Sequence, residues 1–113
     1  MHEIGVAQNI LDIVLNQANI HKAEKVNSIK LVIGEFTGIV QESLEFALET
    51  LKKETLADKA EIIFSKVKLK TFCSKCDKTF IMNGKFLFQC PHCEGNLEII
   101  NGKELYIENI DIE

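Results

Sequence analysis

Arginine is absent from this 113-residue chain, and all thirteen basic residues are lysine. Bidentate reading of guanine and firm clamping of phosphate both lean on the planar guanidinium, so a sequence-reading nucleic-acid protein is disfavoured. Long apolar runs are missing too: none approaches the ~18 residues that a membrane span needs. Residues 1–20 lack a basic start, an extended apolar stretch and a small-residue cleavage site, the parts of an export signal. The chain is therefore expected in the reducing cytoplasm, where structural disulfides are rare. Neither G-x-x-x-x-G-K-S/T nor H-E-x-x-H occurs, and no nucleophile with a base and an orienting group is evident. No catalysis is expected.

Cysteine is scarce but concentrated. All four lie in one short run, as Cys73-Ser74-Lys75-Cys76 and Cys90-Pro91-His92-Cys93, with thirteen residues between the pairs. Two C-x₂-C knuckles facing each other across a short hairpin can place four sulfurs at the corners of a tetrahedron. That is the arrangement Zn²⁺ takes in a closed structural site. A redox C-x-x-C normally opens a helix after a strand, whereas these pairs sit among glycine, aspartate and asparagine. Structural zinc on Cys73, Cys76, Cys90 and Cys93 is the expectation, with disulfides, a thiol redox pair or an iron–sulfur site as the alternatives.

The net charge is −4, and four thiolates around one Zn²⁺ would take it to about −6. Residues 71–102 set Lys75, Lys78 and Lys85 against Asp77, Glu94 and Glu98, so the ribbon segment is neutral before metal. A zinc-ribbon adaptor for nucleic acid or protein remains the alternative reading, and the acidic, arginine-free balance counts against its nucleic-acid form.

Periodicity organises the rest. Ile4, Ala7, Leu11, Val14 and Ala18 follow helical spacing, which predicts a helix of about fifteen residues beginning almost at residue 1. Ile29, Leu31 and Ile33 alternate with Lys30 and Val32 as a half-buried strand over Val26 to Ile33. Gly34 and Gly38 bracket a turn. A second helix is predicted near Gln41, acidic at its start and basic at Lys52 and Lys53, which suits the helix dipole. Its buried stripe would be Leu44, Ala47, Leu48 and Leu51. Residues 60–70 read as a strand feeding into Cys73, with Val67 and Leu69 inward and Lys66, Lys68 and Lys70 outward. A last strand runs from Glu104 to Glu113, where a bulge or strong twist near Asn109 would reconcile Leu105 and Ile107 with Ile110 and Ile112. The expected class is α+β: a small mixed sheet with two helices and an inserted zinc ribbon. The expected domains are 1–70 with 103–113, and 71–102.

Met1-His2-Glu3 is the other informative place. A histidine second from a free amino terminus has the α-amine, its own amide and its ring in chelating range, and the Glu3 amide could complete a set of four nitrogens. Such sets suit the tetragonal geometry of Ni²⁺ or Cu²⁺. The plainer reading is a solvated His2 beside a helix start, with Glu3 there because anions favour that end.

Taken in order, Met1-His2-Glu3, Ile33-Gly34-Glu35, Gln41-Glu42-Ser43-Leu44-Glu45-Phe46-Ala47, the two C-x₂-C pairs, and Gly102-Lys103-Glu104-Leu105 through Ile110-Asp111-Ile112-Glu113 resemble the HypA/HybF family of hydrogenase nickel-incorporation proteins. The resemblance spans essentially the whole chain. It implies a nickel metallochaperone for [NiFe]-hydrogenase maturation, and in some organisms for urease. It implies His2 as the key nickel ligand, with Met1 and Glu3 supplying neighbouring nitrogens, and zinc on the four cysteines. The implied partners are the nickel-delivering GTPase HypB, the hydrogenase large subunit and urease accessory proteins. Some urease-supplying members carry histidines just after a cysteine pair. Here Asp77-Lys78 and Glu94-Gly95 stand at those places, and the acid response linked to those histidines is not implied for this chain. His92 lies inside the second knuckle and reads as solvated or as a neighbour of the ligands, with replacement of a thiolate on protonation as the lesser alternative. His21 reads as an exposed surface residue.

Overall fold

A computed structural model of the chain describes residues 3–82 and 88–113. The chain is α+β, as expected, and divides into two compact units. The first comprises Met1–Val32, Gly38–Ser65 and Tyr106–Glu113; the second comprises Ile33–Thr37 and Lys66–Leu105.

The first unit holds both helices. Helix α1 spans Glu3–Ile20 and buries Ala7, Ile10, Leu11, Val14 and Ala18. The apolar stripe thus holds from Ala7 onward, but Ile4 lies outside the core, 70% exposed, and Ile10 is buried instead. Helix α2 spans Gln41–Leu51 and packs on α1 through a face that buries Leu44, Ala47 and Leu48, while Leu51 is half-buried. Each large apolar side chain so buried stabilises the fold by roughly 1.5–3 kcal/mol.

The basic end of α2 does more than complement the dipole. Lys52, the residue after the helix, is itself buried, and its Nζ donates to the Ala60 carbonyl at 2.5 Å. Glu49 Oε2 lies 3.2 Å from the same ammonium. A buried charge needs such partners, and the bond to Ala60 ties the end of α2 to the turn that leads into β2.

Strands β1 (Val26–Gly34), β2 (Glu61–Val67) and β6 (Leu105–Ile112) form a three-stranded sheet in the order β2-β1-β6. Lys25 and Glu113 exchange backbone hydrogen bonds at 3.3 Å or less, and the Gly34 N–H donates to Glu104, so β1 and β6 run antiparallel. In β1, Val32 is buried together with Leu31 and Ile33, so the end of this strand is not half-buried as expected. It is the central strand of its sheet, and central strands covered on both faces lose the alternation. In β6 the predicted slip is present: Glu108 and Asn109 are exposed in succession, and inward parity changes across them.

The second unit is built on strands β3 (Lys70–Cys73), β4 (Lys78–Ile81) and β5 (Glu98–Asn101), in the order β4-β3-β5 with both pairings antiparallel. The strand expected over residues 60–70 is therefore two strands in two different sheets, β2 and β3. They are divided at Lys68 and Leu69. Leu69 is fully buried, its N–H held by Glu35 Oε1 at 3.0 Å and its carbonyl by the Met82 N–H at 2.9 Å. Glu35 belongs to a 3₁₀ turn, Glu35–Thr37, where a plain turn was expected. Gly34, at the end of β1, is required by contact: a Cβ there would lie 2.2 Å from the Gly102 carbonyl oxygen.

Candidate metal centre

Both knuckles grow from this small sheet. Strand β3 ends at Cys73, and its register with β4 pairs Cys73 with Lys78, so Ser74 to Asp77 form the connecting loop. Asp77, immediately after Cys76, takes φ 54°, and Glu94, immediately after Cys93, takes φ 60°. The two cysteine pairs thus end in the same left-handed step, adopted here by acidic residues and not by glycine. In the second knuckle, Cys90 N–H donates to the Gly95 carbonyl at 2.8 Å and Glu94 N–H to the Cys90 carbonyl at 2.9 Å. The bridge between Gln89 and Asn96 closes its base.

These turns bring the four thiols together. Cys73, Cys76, Cys90 and Cys93 offer sulfurs that all lie within 4.8 Å of one another. Cys73 Sγ is 3.4 Å from Cys93 Sγ, and Cys76 Sγ is 3.8 Å from Cys90 Sγ. Bonds of about 2.3 Å to a tetrahedral centre place sulfurs about 3.8 Å apart, so the cluster fits a zinc ion. A disulfide needs about 2.05 Å, and all four cysteines are free. The His92 N–H donates to Cys90 Sγ at 3.4 Å, a bond that favours the thiolate.

The electrostatics separate the thiols. Hydrogen bonding to Cys93, helped by burial and by Cys90 and Cys73, pushes Cys76 up to about 12. Burial alone would raise Cys90 as well, but the backbone N–H groups of Cys93 and His92 and the neighbouring thiols outweigh it. They bring Cys90 down to about 7. Without a metal, negative charge therefore collects first on the Cys90 sulfur, while Cys76 holds its proton.

Two of the sulfurs are also core. Cys73 and Cys90 are buried with Leu69, Met82 and Leu97, and Phe36, Cys76, Phe80 and Ile99 pack against them. Cys93 is exposed. The His92 ring is exposed as well and sits 6.0 Å from that of Phe80, tilted by 31°. His21 is exposed, as expected.

Of the terminal set, Glu3 opens α1, and its Oε2 accepts a hydrogen bond from Val40 N–H at 3.2 Å. Met1 and His2 lie outside the described residues. The contact by which Glu35 holds Leu69 beneath the cluster is not legible in the sequence, where a glutamate in a turn reads as a solvated charge. Among the described residues no helix is long and apolar enough to cross a membrane.

A two-helix α+β protein with a four-cysteine cluster on a small antiparallel sheet is a metal-binding protein of the zinc-ribbon kind. Residues 1–112 match the family described as hydrogenase/urease nickel incorporation, metallochaperone, HypA, and the chain belongs to that family. It is 39% identical to the hydrogenase maturation factor HypA of Caldanaerobacter subterraneus subsp. tengcongensis, over 100% of both chains. It is 38% identical to that of Dehalococcoides mccartyi strain CBDB1, over 100% of this chain and 95% of the other. In fold it is similar to the solution structure of the nickel metallochaperone HypA from Helicobacter pylori. The TM-score is 0.68 at 24% identity, covering 99% of this chain and 97% of that one. A second HypA solution structure matches with a TM-score of 0.71 at 23% identity, over 100% of this chain and 97% of that one. The family comprises hydrogenase maturation factors and not catalytic enzymes.

Proposed function

We propose that this chain carries Ni²⁺ at its amino terminus and hands it on for maturation of [NiFe]-hydrogenase, and of urease where a cell makes that enzyme. The observation that carries the reading is the match to the nickel-incorporation family over residues 1–112, which begins at the Met1-His2-Glu3 segment. The α-amine of Met1, the amides of His2 and Glu3 and the His2 ring are the donors. Such nitrogens favour nickel in a tetragonal arrangement. The amine, with an ordinary pKa of about 7.7–8.0, must lose its proton, and the ring, near about 6.5, must be neutral. Nickel is therefore held less firmly as pH falls below about 7. A terminal site built from few side chains can be dismantled by ligand exchange, which delivery requires.

Cys73, Cys76, Cys90 and Cys93 are assigned to structural zinc, supported by the spacing of their sulfurs. Bound zinc would supply cross-linking and no catalysis, because four protein ligands leave no open position. The fold around it does the rest: the His92 N–H steadies the Cys90 sulfur, and Leu69, Met82 and Leu97 exclude water. The nickel-binding part is the α+β portion, and the zinc-binding part is the ribbon between its strands. The partners we assign are the GTPase HypB, which would perform any nucleotide hydrolysis, the hydrogenase large subunit and urease accessory proteins, all in the cytoplasm.

The test is hydrogenase loading in cells lacking this protein. Return of the wild-type chain should restore nickel in the purified hydrogenase, and the His2→Ala chain should not. Equal restoration by both would overturn the reading.

A further inference from the structure

Charge is divided unevenly along this chain. The first unit has six lysines against twelve aspartates and glutamates, whereas the second has seven lysines against five. The acidic unit also carries an apolar groove of about 520 Å³, with Ile4, Phe46, Ala47 and Leu51 among its lining and Glu3 and Glu42 on its walls. Ile4 is 70% exposed and Phe46 75% exposed. An exposed phenylalanine beside an exposed isoleucine keeps apolar surface in water at a cost, and such patches rimmed by charge mark interaction sites. Phe46 is ringed by acids on its own helix. Glu42 lies one turn before it, Glu45 is adjacent and Glu49 lies one turn after.

We propose that this groove docks a basic amphipathic helix of a partner protein. Lined by two elements of helix, it has the form in which an apolar stripe at i, i+3/i+4 and i+7 inserts its anchors. Phe46 and Ile4 receive the stripe, and lysines or arginines flanking it meet Glu42 and Glu45, which steer the encounter and fix its register. A second copy of this chain lacks the required chemistry: neither α1 nor α2 contains a lysine, and α2 is acidic. The groove starts at Glu3, so its occupant would sit beside the terminal nickel. That link to delivery rests on the nickel reading above, whereas the docking does not.

The test uses the full zinc-loaded chain and two labelled helical peptides of roughly fourteen residues, both lysine-rich. One carries a leucine stripe and the other has serine in place of each leucine. The leucine peptide should bind at least about tenfold more tightly than the serine peptide at moderate salt. Phe46→Ser and, independently, Ile4→Ser should bring its affinity down to that of the serine peptide. Both side chains are exposed, so neither change should disturb folding. Glu42→Lys should weaken binding severalfold, and Glu24→Lys, an equal charge change in the turn after α1, should weaken it less. Equal binding of the two peptides, or unchanged binding by Phe46→Ser and Ile4→Ser, would overturn the proposal. So would self-association of the chain that Phe46→Ser abolishes. Peptide binding by a wild-type chain that takes up no nickel would count against the nickel reading alone.

Discussion

The carboxylate of Glu3 accepts a hydrogen bond from the backbone N–H of Val40 at 3.2 Å. Val40 is the residue from which α2 starts, and it has no side-chain oxygen to cap the helix. An acid carried by α1 thus supplies the acceptor that, in a capping box, a glutamate or glutamine three residues into the helix reaches back to provide. It also brings negative charge to the positive end of α2. In the nickel reading Glu3 then has two separate parts: its amide serves the metal, and its carboxylate fixes the terminal segment against α2.

Replacing Glu3 with alanine should lower stability by about 0.5–1 kcal/mol. Glu3→Gln, which keeps an acceptor but loses the charge, should cost less. Denaturant unfolding of the zinc-loaded chain measures both, and amide exchange at Val40 should accelerate in the alanine variant. Unchanged exchange at Val40 would mean that the bond contributes nothing.

Titration of the metal-free thiols gives a second check. Cys90 should ionise near about 7 and Cys76 only near about 12, where an unperturbed thiol stands at 9.0. Between about 7 and 9 the folded chain has lost a proton that the unfolded chain keeps, so stability rises with pH. Above 9 the folded chain retains the Cys76 proton that the unfolded chain loses, so stability falls. The contribution of these two thiols to the stability of metal-free protein should therefore be greatest near about 9, and the ultraviolet thiolate signal should grow over a broad range. A single wave near 9 would show that the sulfurs do not interact.

The knuckles were legible because metal chemistry dictates both residue type and spacing, and the stripe of α1 from Ala7 onward was legible because burial repeats with the helix. What periodicity could not show was a change of partner. Val67 and Leu69 keep the same parity across a break between two sheets, so the alternation reads as one strand. Ile4 continues the helical stripe yet lies beyond the reach of the core, because the stripe records spacing and not where the covering element ends. The Glu35 carboxylate finds Leu69 thirty-four residues away, and no local pattern marks such a contact. The Val32 side chain is buried because its strand is central, a property of sheet order.

Single replacements of Cys73, Cys76, Cys90 or Cys93 by serine should each lose zinc, since a closed tetrahedral site does not tolerate a missing ligand. Cys73 and Cys90 should also loosen the core around Leu69 and Met82, and so cost more stability than Cys93, which is exposed. The helices of the first unit have their own buried stripe, and their circular dichroism signal should persist in part. Metal analysis with thermal unfolding checks the series. Stoichiometric zinc and unchanged unfolding in all four variants would refute the assignment.

The central claim is a terminal nickel site separate from the cysteine cluster, and mass spectrometry under native conditions tests it most directly. Untagged protein beginning at Met1, titrated with nickel at neutral pH, should carry one tightly held zinc and one exchangeable nickel per chain. His2→Ala should keep the zinc and lose the nickel. Nickel retained by His2→Ala with unchanged affinity, or nickel that enters only by displacing zinc, would contradict the account.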